Sequence, residues 1–157
     1  MATPDFVLEL RRKIGTAPLP LVGVTAVVVR DGQVLLGRRS DNGHLTPVTG
    51  IVDPGEEPAD AAVRETLEEA GVTCRAERLA WVHQIPRVVY AHGDVVDYLD
   101  LTFLCRWVSG DPYPADGEMT QVGWYDVDRL PPLELPDMLT RIRRALGDGP
   151  TLFEGGR

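Results

Sequence analysis

Glu65, Glu68 and Glu69 stand at i, i+3 and i+4. On a helix that spacing gathers their carboxylates within roughly one quadrant of the 3.6-residue wheel. Like charges so placed repel, each pair costing about 0.2–0.5 kcal/mol on an isolated helix, unless a cation sits in front of them. Oxygen-only donors of this charge suit a hard ion such as Mg2+, which keeps waters and phosphate oxygens as its other ligands. Glutamate-rich helical faces are common, however, and most are merely solvated, so these three residues alone make no site.

The surrounding stretch Gly50 to Val72 decides the matter. Pro58 suits the first turn of a helix, where a missing N–H costs nothing, and Gly71 suits its left-handed end. Between them Ala59, Ala62, Val63, Thr66, Leu67 and Ala70 give one apolar, core-facing stripe, with the glutamates on a different side. Gly50, Glu56, Arg64, Glu65, Glu68, Glu69, Gly71 and Val72 fall on the spacing G-x5-E-x7-R-E-U-x-E-E-x-G-U, where U is a bulky aliphatic. This pattern resembles the signature of the Nudix hydrolases (MutT-like). Thr66 departs from it where an aliphatic is usual, and Pro47-Val48-Thr49-Gly50 replaces the common Leu-Pro-Gly-Gly entry.

The resemblance, which covers roughly Val22 to Leu146, implies an α/β domain with a mixed, curled β-sheet sandwiched between helices. It also implies a Mg2+- or Mn2+-dependent pyrophosphohydrolase acting on a nucleoside diphosphate linked to another group. A diphosphate repels nucleophiles, so a metal must screen it and activate water. By the resemblance, Glu65 and Glu69 are the expected metal ligands, with Glu68 direct or through water and a backbone carbonyl at Thr49 or Gly50. Arg64 is expected to pair with Glu56 and hold the metal face in place. The water-activating base is expected either within the box, at a residue such as Glu68, or on a loop before the last strand, where Glu118 falls. Three readings compete: clearance of nucleoside triphosphates, cleavage of a nucleoside diphosphate sugar such as ADP-ribose, and nucleotide sensing without hydrolysis. The intact acidic set disfavours the third.

Elsewhere the chain is ordinary. Its 157 residues fit one domain, with residues 17–147 as the body, 1–16 as an N-terminal helix and 148–157 as a loose tail. Thr3 is the expected cap of that first helix, with Phe6, Val7, Leu10 and Ile14 on one side. The helix packs on its own domain or on a partner subunit, which leaves a homodimer open. The runs Leu21–Arg30 and Gln33–Arg39 flank Asp31-Gly32, a hairpin signal. Arg38 and Arg39 end the second run near the box, either as exposed strand-end arginines or as binders of substrate phosphates. Leu45 takes the place where related sequences often carry tryptophan. Further strands are expected over Val72–Ile85, Val95–Val108 and Val122–Tyr125, with a last helix over Met138–Leu146. His83 and His92 read as surface residues.

A formal charge of −8 argues against binding a nucleic-acid backbone or an anionic membrane, so a small nucleotide is the expected partner. Two cysteines, Cys74 and Cys105, are too few for a disulfide framework. They read as buried thiols in a cytoplasmic protein without signal peptide or membrane span. Lys13 is the only lysine among many arginines, a usage that fits a GC-rich bacterial genome.

Overall fold

The computed structural model describes residues 3–156. Strand β1 (Leu19–Arg30) turns through Asp31 and Gly32, whose φ values of 48° and 76° are those of a two-residue hairpin turn, into β2 (Gln33–Arg39). Short strands β3 (Leu45–Thr46) and β4 (Val48–Ile51) lead into helix α2 (Pro58–Ala70). Then come β5 (Thr73–Gln84), β6 (Val88–Val89), β7 (Val95–Ser109) and β8 (Met119–Asp126). Helix α3 (Pro136–Leu146) and β9 (Leu152–Phe153) close the chain, and α1 (Asp5–Ile14) opens it.

Among the described residues all nine strands belong to one mixed sheet, ordered β3-β2-β1-β7-β5-β9. β1 runs parallel to β7 along most of its length. On its other edge β1 pairs with β4 over residues 23–26 and with β2 only at Val29 and Arg30. One strand thus serves two partners in succession, and β2 diverges to pair with β8 and β3. That divergence curls the sheet. It also leaves β4, which carries Thr49 and Gly50, lying beside the middle of β1.

Because β1 is apolar apart from Thr25 and its last residue, Arg30, it can bury both faces. Val24, Ala26 and Val28 pack with Ala61, Ala62 and Ala70 of α2, while Val27 and Val29 pack with Ile142 and Ala145 of α3. The sheet is therefore sandwiched between helices, as expected. Leu67 is not part of this packing: it is 53% exposed. The buried arc of α2 is centred on small residues and takes in Ala61, Glu65, Thr66 and Glu69, so it is rotated from the expected stripe and places two of the three glutamates on the covered side. Thr66 is fully buried, and its hydroxyl donates to the Ala62 carbonyl at 2.8 Å. The departure from an aliphatic residue is thus accommodated within the helix itself.

Three smaller expectations need correction. Helix α1 has Pro4 as its cap residue with no side-chain capping bond, and only Val7 of its expected stripe is fully buried. His83 is 6% exposed, because side chains two apart on a strand share a face and Trp81 is buried there. The two rings stack with centroids 3.4 Å apart. Within the expected tail, Leu152 and Phe153 run parallel to Trp81 and Val82 of β5 and extend the sheet edge. Cys74 and Cys105 are buried and unbridged. No helix among the described residues is long and apolar enough to cross a membrane.

Candidate active site

Strand β4, the loop 52–57 and helix α2 form the unit that mounts the acidic groups. Pro58 sits in the first turn of α2, and Gly71 ends it at φ 66° with its N–H donating to the Leu67 carbonyl. Glu65 is 9% exposed and Glu69 only 1%. Burial pushes the Glu65 carboxyl up to about 7, against the pull of Arg64. Burial, together with the neighbouring Glu118 carboxyl, pushes Glu69 up to about 9. A carboxylate in so dry a place is stable as an anion only beside a cation.

Arg64 organises the face. Its Nε and Nη2 form a fork on Glu56 at 2.8 and 3.0 Å, and its Nη1 reaches Glu65 at 3.1 Å and Glu68 at 3.2 Å. Nη2 also donates to the Ile51 carbonyl at 3.3 Å. The hydrogen bond from Arg64 holds Glu56 below the usual carboxylate range. Glu56 accepts in addition the Asp53 N–H at 3.0 Å, which closes the box loop. The expected Arg64–Glu56 pair is present, and Arg64 meets the helix glutamates as well.

Gly50 lies against this cluster. A Cβ built there would stand 2.2 Å from Cγ of Glu65, so only glycine lets the Glu65 side chain lie across β4. Glu118, just before β8, is half-buried and close enough to raise both Glu65 and Glu69. The loop before the last long strand thus brings it to the box. Ser40 N and Oγ both donate to the Glu118 carbonyl at 2.9 Å and tie that loop to β2.

The two arginines of β2 part company. Arg38 donates to the Gly43 carbonyl and to Glu134, away from the box. Arg39 forks onto Asp41 at 2.9 and 2.6 Å and lines a cavity of about 550 Å3 that also reaches Thr49 and Gly50. Its walls include Tyr90 and Tyr98, whose hydroxyls are 2.7 Å apart. Neither tyrosine carried a local motif in the sequence. Leu45, standing where a ring was missing, is buried in the core, so the aromatic surface comes from β7 and the turn before it. The floor is polar. Asp100 accepts from Thr25 and Thr102, and Arg141 of α3 donates to Thr25 and to Asp137.

The chemistry of the donors fits a hard divalent ion. Oε1 of Glu69 is buried and receives no hydrogen bond among the described residues, and the carboxylates beside it, those of Glu65 and Glu118, offer oxygen alone. As the side chains stand, no three acidic, histidine or cysteine groups among the described residues enclose a common point. Arg64 holds Glu65 and Glu68 towards itself.

A model of the family described as the NUDIX domain matches residues 19–146. The chain belongs to the Nudix hydrolases. The NAD-capped RNA hydrolase NudC of Chromobacterium violaceum is 36% identical over 113 residues, which are 70% of this chain and 40% of that protein. A MutT-like protein of Streptomyces ambofaciens is 32% identical over 114 residues, 72% of this chain and 68% of that one. The chain thus spans about two fifths of the length of the NudC relative. Among solved structures, a Nudix hydrolase from Nitrosomonas europaea superimposes with a TM-score of 0.70 at 22% identity, over 85% of this chain and 77% of that one. An ADP-ribose pyrophosphatase from Streptococcus suis gives 0.65 at 22% identity, over 87% and 100%. At such identity these two likenesses speak for the fold alone. Enzymes of this family generally use divalent metal ions. Some relatives are named for a capped RNA, so the exclusion of nucleic acid drawn from net charge does not hold across the family.

Proposed function

We propose that this Nudix hydrolase is a Mg2+-dependent pyrophosphohydrolase that cleaves the diphosphate linkage of a nucleoside diphosphate joined to a second group, a nucleoside triphosphate or an ADP-ribose-like compound. The observation that carries this reading is the Glu69 carboxylate, 1% exposed and with Oε1 lacking a donor, one turn from the buried Glu65. Glu65 and Glu69 would hold the ion, with Glu68 and a carbonyl of Thr49 or Gly50 completing the set. When bound, the ion supplies charge screening at the diphosphate and a lowered pKa for coordinated water.

The chain's own groups do the rest. Arg64 keeps Glu56, Glu65 and Glu68 in register through its four contacts. Glu118 takes the proton of the attacking water on its carboxylate, acting from a loop that Ser40 anchors. The nucleoside lies in the cavity beside Thr49 and Gly50, where Tyr90 and Tyr98 offer ring faces and Arg39 offers a phosphate the Nη1 that its fork on Asp41 does not use. Sensing without turnover is disfavoured, because every acidic position of the box is present.

Release of phosphate, pyrophosphate or nucleoside monophosphate from a nucleotide panel, with and without Mg2+, tests the reading. Turnover should require the metal. Glu69→Gln should lower kcat by at least about 10²-fold with the fold intact. Normal turnover by that variant at saturating Mg2+ would overturn the ligand assignment.

A further inference from the structure

Helix α1 lies outside the matched domain, yet its first turn walls the acidic cleft. That cleft encloses about 450 Å3, and Pro4, Asp5 and Phe6 line it together with Glu65, Glu68 and Glu118. The wall is anchored. Val7 is buried with Leu21, Ile51 and Val96, and Phe6 packs partly against the same cluster. Arg11 donates to the carbonyls of Ala17 and Val95 at 2.6 and 2.7 Å. Ile51 follows Gly50 directly, so the packing that seats α1 is continuous with the strand that carries the box.

The cleft and the 550 Å3 cavity flank the box on two sides: the cavity touches Thr49 and Gly50, the cleft touches Glu65 and Glu68. A diphosphate lying over the box therefore projects one substituent into each. The cleft offers Asp5 and Asp53 beyond the box glutamates, and its one guanidinium among the described residues, Arg64, is already forked onto Glu56. With the box glutamates engaged by the ion, a terminal phosphate or pyrophosphate entering there still meets the like charges of Asp5 and Asp53. A neutral group meets carboxylate acceptors for its hydroxyls and the apolar side chains of Phe6 and Pro4 for its ring or carbon skeleton. We propose that α1 is a specificity wall for the group joined to the nucleoside diphosphate: it selects diphosphates bridged to a neutral, hydroxyl-bearing group over nucleoside triphosphates, with Phe6 packing on that group and Asp5 accepting its hydroxyl. The proposal rests on the pyrophosphohydrolase reading above.

The test compares kcat/KM for ADP-ribose and for ATP at saturating Mg2+ in wild type, Phe6→Ala and Asp5→Asn. Wild type should prefer ADP-ribose. Phe6→Ala should lower kcat/KM for ADP-ribose about tenfold, chiefly through KM, and leave ATP within about twofold. Asp5→Asn, at an exposed position, should narrow the preference by improving ATP. A wild type that prefers ATP, an equal loss on both substrates, or no change in either variant would overturn the role of α1 and leave the hydrolase reading standing. Absence of Mg2+-dependent turnover across the whole nucleotide panel would instead remove that reading, and this one with it.

Discussion

Glu65 and Glu69 are one turn apart, buried, and pushed up to about 7 and 9, so without a cation the chain tends to keep them protonated. Their placement depends on a residue with no side chain at all. A Cβ at position 50 would stand 2.2 Å from Cγ of Glu65, and Glu65 is flexible enough to yield by rotating away from β4. Gly50→Ala should therefore fold with a loss below about 1 kcal/mol and still lower kcat/KM by about 10²-fold or more, because catalytic groups displaced by an ångström lose that much. Urea unfolding beside steady-state kinetics separates the two effects. A variant with wild-type turnover would mean that Glu65 does not act from its present rotamer. The box was legible because its residues are close in sequence and each has a distinct physical duty: Pro58 starts the helix, Gly71 ends it, Arg64 and Glu56 pair across the loop. Tyr90, Tyr98 and Arg141 were not legible as part of the site. They come from a turn, a distant strand and a helix, and only the sheet order brings them to β4.

Helix α3 shows the same limit at the level of an element. Its apolar stripe predicted the helix, and Ile142 and Ala145 do face the core, but nothing in its sequence announced that Arg141 would be buried beneath the cavity. Arg141 is held there by Asp137 at 2.6 Å, four residues earlier, and by Thr25 at 2.9 Å. The Asp137 carboxyl is held at about 2 by the His83 imidazole and by Arg141. The imidazole nitrogen is 3.7 Å away, beyond a direct hydrogen bond, so Arg141 carries the stronger interaction. A carboxyl whose folded pKa lies below its unfolded value of about 3.9 contributes stability that is complete above that value and lost as pH falls towards 2. With the Asp137 side chain 43% exposed, screening reduces the contribution to about 1 kcal/mol. Asp137→Asn should thus be less stable than wild type at neutral pH by about that amount, and the gap should close between about pH 4 and pH 2. Urea midpoints across that range measure it, and a gap that stays constant with pH would show that the carboxylate charge is not what anchors Arg141.

The two larger cores lie on opposite faces of one sheet and share β1, whose alternate residues from Val24 to Val29 serve each in turn. Neither layer can open without exposing the other, so unfolding should be a single cooperative transition. That makes the melting temperature a readout of anything that binds the folded chain alone, independent of turnover. The groups assigned to the ion come from α2 and β4, which are adjacent only when the sheet is formed, and the unfolded chain offers no such cluster. Mg2+ at about 100 times its dissociation constant should then add about 2.7 kcal/mol of stability. For a chain of this size each kcal/mol is worth about 2–4 °C, so the midpoint should rise by about 5–10 °C. A control with monovalent salt at equal ionic strength removes the general screening expected for a net charge of −8. Glu69→Gln should lose most of the Mg2+-specific rise while melting near wild type in the absence of metal, since amide and protonated carboxyl differ little in volume and both are uncharged. An equal rise in wild type and variant would place the ion elsewhere on this acidic surface, and no rise in wild type would leave the buried glutamates without the cation that their burial calls for.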